Sequence, residues 1–257
     1  MKDFLEPFFY PHNLFLWGLI LATLYYRKKG LFVLLLWFYG FGNGWTANQV
    51  RQWYSAQIAT DTRPARIDAE LVMLGCGGDR QTIPECAKQR LQQLAQLMVV
   101  QNPALPVYVT TRYCQPYLDY LASSLQQQLP DYSRVDVVAR LGQVQCFNGG
   151  DTTYHEMYQL TTRVMPNQPV WFISSDYHAY RVRQLAEQYQ FNATVFAARS
   201  STFKPVNCGI NCYLTVNLSN FDLFAKLSTE FLSFGIYDWT KRWTDWYKTP
   251  PAPAIES

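Results

Sequence analysis

Side chains able to do chemistry are densest in Pro169–Arg183, PVWFISSDYHAYRVR, which holds one of the chain's three histidines. Ser174, Ser175, Asp176, His178 and Arg181 follow an apolar run, Val170–Ile173. His178 and Arg181 are three residues apart, a spacing that puts two side chains on one helix face. An imidazole titrating near neutrality can carry a proton, and a guanidinium can hold a phosphate through two parallel hydrogen bonds. The chemistry suggested is at a phosphate ester or pyrophosphate, with His178 and Ser175 as catalytic candidates and Arg181 and Arg90 as anion clamps. The plainer alternative is that the Ser/Asp cluster only caps a helix and Arg181 is a surface charge. A Ser-His-Asp hydrolase built from Ser175, His178 and Asp176 is disfavoured. Residues so close along one segment point in different directions and do not form the required line of nucleophile, base and orienting group.

The elements that must position these groups can be read from periodicity. Val170–Ile173 bounded by Ser and Asp reads as a buried parallel strand feeding a helix. In open α/β sheets, ligands bind outside the carboxyl ends of the strands, against helix N-termini that favour anions. A first strand, Leu71–Leu74, is closed by Gly75-Cys76-Gly77-Gly78-Asp79-Arg80. The full dinucleotide and P-loop glycine patterns are absent, so this turn signals a sharp bend or a close approach. An amphipathic helix over Glu85–Gln101 follows, with Leu91, Leu94, Ala95 and Met98 on one face.

Val107–Thr111 is the next strand, with Arg112 at its carboxyl end, and a helix over Pro116–Leu129 stops at Pro130. Val135–Ala139 is expected as a third strand. Phe147–Glu156 (FNGGDTTYHE) then opens a helix to about Val164, with Asp151, Thr152 and Thr153 as cap-type residues. Ala193–Ala198 is a fifth strand. Strands alternating with helices of this length predict an α/β, Rossmann-like three-layer domain with a mostly parallel sheet. Its carboxyl edge would gather Gly75, Gly77, Gly78, Arg90, Arg112, Thr152, Thr153, Ser175, His178 and Arg181.

The 257 residues are 49% hydrophobic and 16% charged, so the chain is not a disordered one. The net charge is +3, and from Asn48 onward 18 Lys/Arg face 17 Asp/Glu. That balance lacks the basic face of duplex nucleic-acid binders.

Residues 1–47 differ from the rest. Leu14–Tyr26 and Leu31–Trp45 are uncharged apolar runs separated by Arg27-Lys28-Lys29-Gly30. Each is shorter than the roughly 20 residues that span a bilayer comfortably, although flanking residues could extend them. A cleavable signal peptide would need one apolar core after a basic start, whereas here the core is double. The pattern predicts a two-helix transmembrane hairpin with the lipid bilayer as partner. By the positive-inside rule its cationic turn is cytoplasmic, which puts the main domain outside, in the periplasm if the source is bacterial.

The expected layout is a hairpin at 1–47, a linker or extra helix at 48–68 and the α/β domain at 69–200. C-terminal helices at 201–249 and a disordered tail at 250–257 follow. In the tail region Trp239, Trp243 and Trp246 share one side, suited to a headgroup layer or to packing on the domain. Of six cysteines, Cys208 and Cys212 form a tight pair suited to an oxidising compartment. Cys86 and Cys146 read as small buried residues. A Cys76 thiolate nucleophile would need a setting that lowers its pKa. No zinc spacing accompanies the cysteines, so neither metal nor cofactor is expected.

The constellation resembles the YdcF/SanA/ElyC-like family of bacterial envelope proteins. Leu71–Gly78 is similar to its opening strand and glycine turn, Arg90 to the arginine of its first helix, Gly150–Glu156 to its T-x-E-N-type element, and Ser174–Arg181 to its S-x-Y-H-x-x-R stretch. The resemblance covers roughly Leu71–Ala198, and the preceding hairpin looks most like the ElyC branch. It implies a Rossmann-like fold and a link to peptidoglycan assembly and the polyprenyl-phosphate lipid carrier, with envelope-assembly proteins as partners. Three departures alter the expected pocket mouth. Thr110-Thr111-Arg112 stands where many members carry Ser-Gly-Gly, His155-Glu156 replaces the acidic-Asn pair, and Cys76 interrupts the glycine run.

Two functions are thus in view. One is an inner-membrane envelope protein that binds, and hydrolyses or transfers, a phosphorylated small-molecule or lipid-linked substrate. The other is a non-catalytic nucleotide- or cofactor-binding scaffold in envelope homeostasis. A domain with a vestigial pocket is a third reading.

Overall fold

A computed structural model of the protein describes residues 6–58, 67–128, 134–150, 152–165, 167–198, 200, 203–204, 206 and 208–243. Asp151, Pro130, Trp246 and the tail at 250–257, on which expectations were placed, lie outside the described residues. In chain order the elements are α1 (Pro11–Tyr26), α2 (Lys29–Gly42), α3 (Gly44–Ile58), β1 (Glu70–Met73), α4 (Glu85–Val100), β2 (Val107–Thr110) and α5 (Cys114–Gln128). They continue with α6 (Arg134–Leu141), β3 (Val144–Phe147), α7 (Thr153–Leu160), β4 (Pro169–Ser175), α8 (Asp176–Gln188), β5 (Asn192–Ala198), α9 (Asn211–Leu214) and α10 (Leu218–Trp243). Two compact units result, one of residues 1–57 and 201–232, the other of 58–200 and 233–257.

The larger unit holds a five-stranded sheet of order β3-β2-β1-β4-β5, parallel throughout. Alternate residues of each strand point to opposite faces, and both faces are covered. Leu71, Met73, Val107, Val109 and Ile173 pack with Leu91, Leu94 and Met98 of α4 and Leu121 of α5. Val72, Tyr108, Val170 and Phe172 pack with Met157 and Leu160 of α7 and Val182 and Leu185 of α8. Burial on both faces is why β1 and β2 are apolar runs without a polar alternation. The result is a Rossmann-like three-layer α/β fold.

The expected strand at Val135–Ala139 is instead within helix α6, and the third strand is Val144–Phe147, paired with β2 from Val107↔Val144 to Thr110↔Phe147. Three valines close together suggested a strand. Helical spacing wins because the covered residues are Val137, Arg140 and Leu141, at i, i+3 and i+4, while Asp136, Val138 and Ala139 are exposed, and Asp136 and Arg140 suit the two ends of the helix dipole. Of the C-terminal helices expected at 201–249, α9 and α10 are present among the described residues.

In the smaller unit, α1 and α2 form a helical hairpin. Arg27 ends α1 in the left-handed region, with φ 50°, and donates its backbone N–H to Thr23 O. The expected transmembrane hairpin is not found in that form. The helices have 16 and 14 residues, roughly 24 and 21 Å at 1.5 Å per residue, against about 30 Å of hydrocarbon. Among the described residues, no helix is long and apolar enough to cross a membrane.

The base of the hairpin is held by polar side chains. Asn13 Oδ1 accepts from Val216 N at 2.7 Å, and Asn43 Oδ1 accepts from Trp45 N and Thr46 N, capping α3. Residues 48–58, expected in a linker or an extra helix, are helical and belong to α3, where Arg51 donates to Asn220 Oδ1 at 2.9 Å. Toward the cationic turn, Leu21, Leu24, Tyr25, Phe32, Val33 and Leu36 are exposed.

Candidate functional site

The chain leaves β1 toward β2 and β3 and later returns to β4 on the other flank of β1. The carboxyl ends of β1 and β4 therefore flank the point where the connections diverge, the usual ligand crevice of an open α/β sheet. The glycine turn follows one of these strands and Ser174–Arg181 the other. The topology brings together two stretches separated by about a hundred residues.

Gly75 is required by a close approach, because a Cβ there would lie 2.0 Å from the carbonyl oxygen of Thr110. Its N–H donates to Thr110 Oγ1 at 2.6 Å. Gly77 and Gly78 then adopt φ of 78° and 116°, values that favour glycine. Tyr117 of α5 holds this turn: its hydroxyl donates to Gly77 O at 2.7 Å and accepts from Cys76 N at 3.3 Å.

Two disulfides reinforce the arrangement. Cys76–Cys86 ties the turn to the start of α4, and Cys114–Cys146 ties the start of α5 to β3. Cys76 is therefore not a thiolate nucleophile, and Cys86 and Cys146, expected as plain buried residues, are bonded. Cys208–Cys212 is also bonded, in the smaller unit.

Arg90, on the buried face of α4, donates through Nε to Ser175 Oγ at 2.9 Å and through Nη1 to Leu74 O and Gly75 O at 2.8 and 2.6 Å. It braces the end of β1 against the end of β4. Burial pushes its guanidinium below its ordinary value, against the favourable fields of Tyr177, Glu156 and Tyr117. Ser175 Oγ receives this donor, while buried Ser174 Oγ makes no hydrogen bond among the described residues.

Asp176 turns away from any triad. Its Oδ1 accepts from Tyr177 N, and its Oδ2 accepts from Ser200 N and Oγ at 2.7 and 3.1 Å, which fixes the chain beyond β5.

His178, 6% exposed, has Nδ1 2.9 Å from Arg181 Nη2 and Nε2 3.1 Å from Thr153 Oγ1. A guanidinium only donates. The same Arg181 nitrogen also lies 3.5 Å from Nε2, so it approaches both ring nitrogens rather than the axis of one. Thr153 opens α7, and Thr152 caps that helix by accepting from His155 N at 3.3 Å. Gly150, with φ 90°, precedes this cap.

Glu156 enters the same cluster from α7. Thr110 Oγ1 donates to its Oε1, and Gly149 lies so close that a Cβ would be 2.6 Å from Glu156 Cγ. Burial pushes this carboxyl up to about 7, although Thr110, Arg90, the Gly75 N–H and Arg181 all favour its ionised form.

Of the residues expected at this edge, Gly75, Arg90, Thr153, Ser175, His178 and Arg181 are brought into one hydrogen-bonded or electrostatically linked group. Gly77 and Gly78 shape the turn, and Thr152 positions α7. Arg112 is exposed, its guanidinium 5.8 Å from the Tyr113 ring centroid. Glu156, Thr110 and Tyr117 were not singled out as site residues. The signal for Glu156 was an acid in the first turn of a helix entered through two glycines. Among the described residues, no cluster of His, Cys, Asp and Glu is placed to hold a metal ion.

No family model and no curated protein matches the chain. Among solved structures, it is similar to glucose-6-phosphate 1-dehydrogenase from Mycobacterium avium, at 14% identity and a TM-score of 0.35. The match covers 63% of this chain and 34% of that one, so the chain spans about a third of its neighbour's length. The class defined by the sheet is a Rossmann-like α/β protein, with a candidate site at its carboxyl edge.

Proposed function

We propose that the α/β unit binds the phosphate group of a small-molecule or lipid-linked substrate at the crevice between β1 and β4, and acts on it as a hydrolase or transferase. The observation that carries this reading is the Thr153–His178–Arg181 array, with His178 and Arg181 following β4 and a disulfide-pinned glycine turn following the neighbouring β1 at the switch point of a parallel sheet. Arg181 supplies a cation and donors for phosphate oxygens, and the first turn of α8 adds its dipole. His178, held between Thr153 and Arg181, is the candidate for moving a proton to or from the leaving or attacking oxygen. Arg90 serves the site by holding the two strand ends together.

Cellular placement is part of the proposal. Three disulfides support an oxidising compartment, and the exposed apolar end of the α1–α2 hairpin supports anchoring in a bilayer, with Arg27, Lys28 and Lys29 at the cytoplasmic headgroups. This favours an inner-membrane envelope protein of the YdcF/SanA/ElyC-like kind, working on a phosphorylated envelope precursor. In the non-catalytic reading, the same pocket needs Arg181 but not His178.

The test is to compare full-length wild type, His178→Ala and Arg181→Ala in detergent micelles, for pyrophosphate binding and for phosphate release from a polyprenyl pyrophosphate. Catalysis predicts that His178→Ala still binds but releases no phosphate. Binding by wild type without phosphate release would leave binding alone, and equal release by His178→Ala and wild type would remove His178 from the catalytic step.

A further inference from the structure

The Glu156 carboxyl is joined through Thr110 Oγ1 to the Gly75 N–H, whose residue's carbonyl accepts from Arg90, so it sits at the same strand ends as the arginines that would draw an anion. It shares the fields of Arg90 on α4 and Arg181 on α8, and it lies near Tyr117 on α5. On its own helix, His155 is its neighbour in sequence, and Thr153 in the same turn contacts His178. The donors around it, Thr110 Oγ1 and the Gly75 N–H, belong to the strand ends and glycine turn that form the crevice. An ionised carboxylate there offsets the guanidinium charge that a phosphate needs, and repels the phosphate through a medium that screens poorly. A neutral carboxyl does neither, and can donate a hydrogen bond to a phosphate oxygen.

Building on the phosphate-binding reading, we infer that Glu156 is the specificity and proton-coupling residue of this site: a phosphate-type anion binds with uptake of one solvent proton onto the Glu156 carboxyl. An O–H bond forms on the Glu156 carboxylate, the proton leaves a solvent or buffer acid that becomes its conjugate base, and no bond of the phosphate changes. The elevated titration of the carboxyl, at about 7, makes that proton available near neutrality. Free phosphate and a lipid-linked phosphate present the same oxygens and would share the coupling.

The experiment is calorimetric titration of full-length protein in micelles with inorganic phosphate, from pH 6 to 8, in two buffers of different ionisation enthalpy. Wild type and Glu156→Gln are compared, so that protonation of phosphate itself cancels. At pH 8 the wild type should take up nearly one proton more per phosphate than the variant. Glu156→Gln should bind about tenfold more tightly than wild type at that pH, since one unit above a pKa of 7 is a tenfold cost. Infrared difference spectra of the wild type should show growth of the protonated-carboxyl band on adding phosphate at pH 8. This readout does not depend on the variant folding.

Phosphate binding with equal proton uptake in both proteins and no carboxyl band change would overturn the coupling while leaving the phosphate site standing. Absence of phosphate binding in both proteins at every pH would overturn the phosphate reading, and the coupling with it.

Discussion

At the scale of single residues, Glu156 and His178 show how burial and partners set what a side chain can do. Glu156 is 9% exposed, and its carboxyl is raised from 4.5 to about 7. A carboxyl raised on folding binds more protons in the native than in the unfolded chain between those values. Its contribution to stability is therefore fully present below about pH 4.5 and is lost as pH rises toward 7, a loss of about 3 kcal/mol for 2.5 pKa units. Glu156→Gln should flatten that part of the stability–pH curve and be the more stable protein at pH 8, as chemical denaturation at pH 5 and pH 8 would show. Loss of stability at pH 8 in the variant would contradict the assignment. For His178, replacing Thr153 by Val removes the hydroxyl that contacts Nε2 at 3.1 Å. If His178 moves a proton in turnover, Thr153→Val should lower kcat by tenfold or more with little change in KM. A loss confined to KM would make Thr153 a binding residue only.

At the scale of elements, the sheet's alternation was legible because its strands are short apolar runs bounded by Gly, Pro and Ser. Val170–Ile173 and the helix beginning at Asp176 lie where periodicity put them. The segment at 134–141 was not legible, because β-branched content outvoted a short helical pattern of about two turns that the coverage of Val137, Arg140 and Leu141 reveals. In the site, His178 and Arg181 could be paired from their spacing. The Gly75–Thr110–Glu156 chain could not, because it joins β1, β2 and α7 through a strand order that one sequence does not state. The disulfides were equally hidden, since six cysteines allow 15 pairings.

The glycine turn gives the sharpest element-scale prediction. Gly75→Ala would drive a methyl into the Thr110 carbonyl at 2.0 Å and should prevent folding or lower the melting temperature steeply. Gly77→Ala, with open space but φ 78°, should cost only about 1 kcal/mol. Equal losses in the two variants would show that the turn does not press on β2. Opening Cys76–Cys86, which are ten residues apart, by the double serine substitution should cost about 3 kcal/mol on chain-entropy grounds.

At the scale of the whole molecule, an aromatic-rich helical unit and a disulfide-braced α/β unit make up one chain with a near-neutral charge balance. The proposed placement outside the inner membrane is testable by cysteine labelling at residues 250–257 in intact bacterial cells. Labelling by a membrane-impermeant reagent is expected, and protection until the cells are lysed would instead direct the search to soluble nucleotides. The central claim is that the crevice between β1 and β4 holds a phosphate group through Arg181. The direct measurement is the affinity of full-length protein for pyrophosphate, in wild type and in Arg181→Ala. The account predicts saturable binding by wild type that weakens at least tenfold in the variant. Equal affinity in the two proteins, or no binding by wild type, would contradict it.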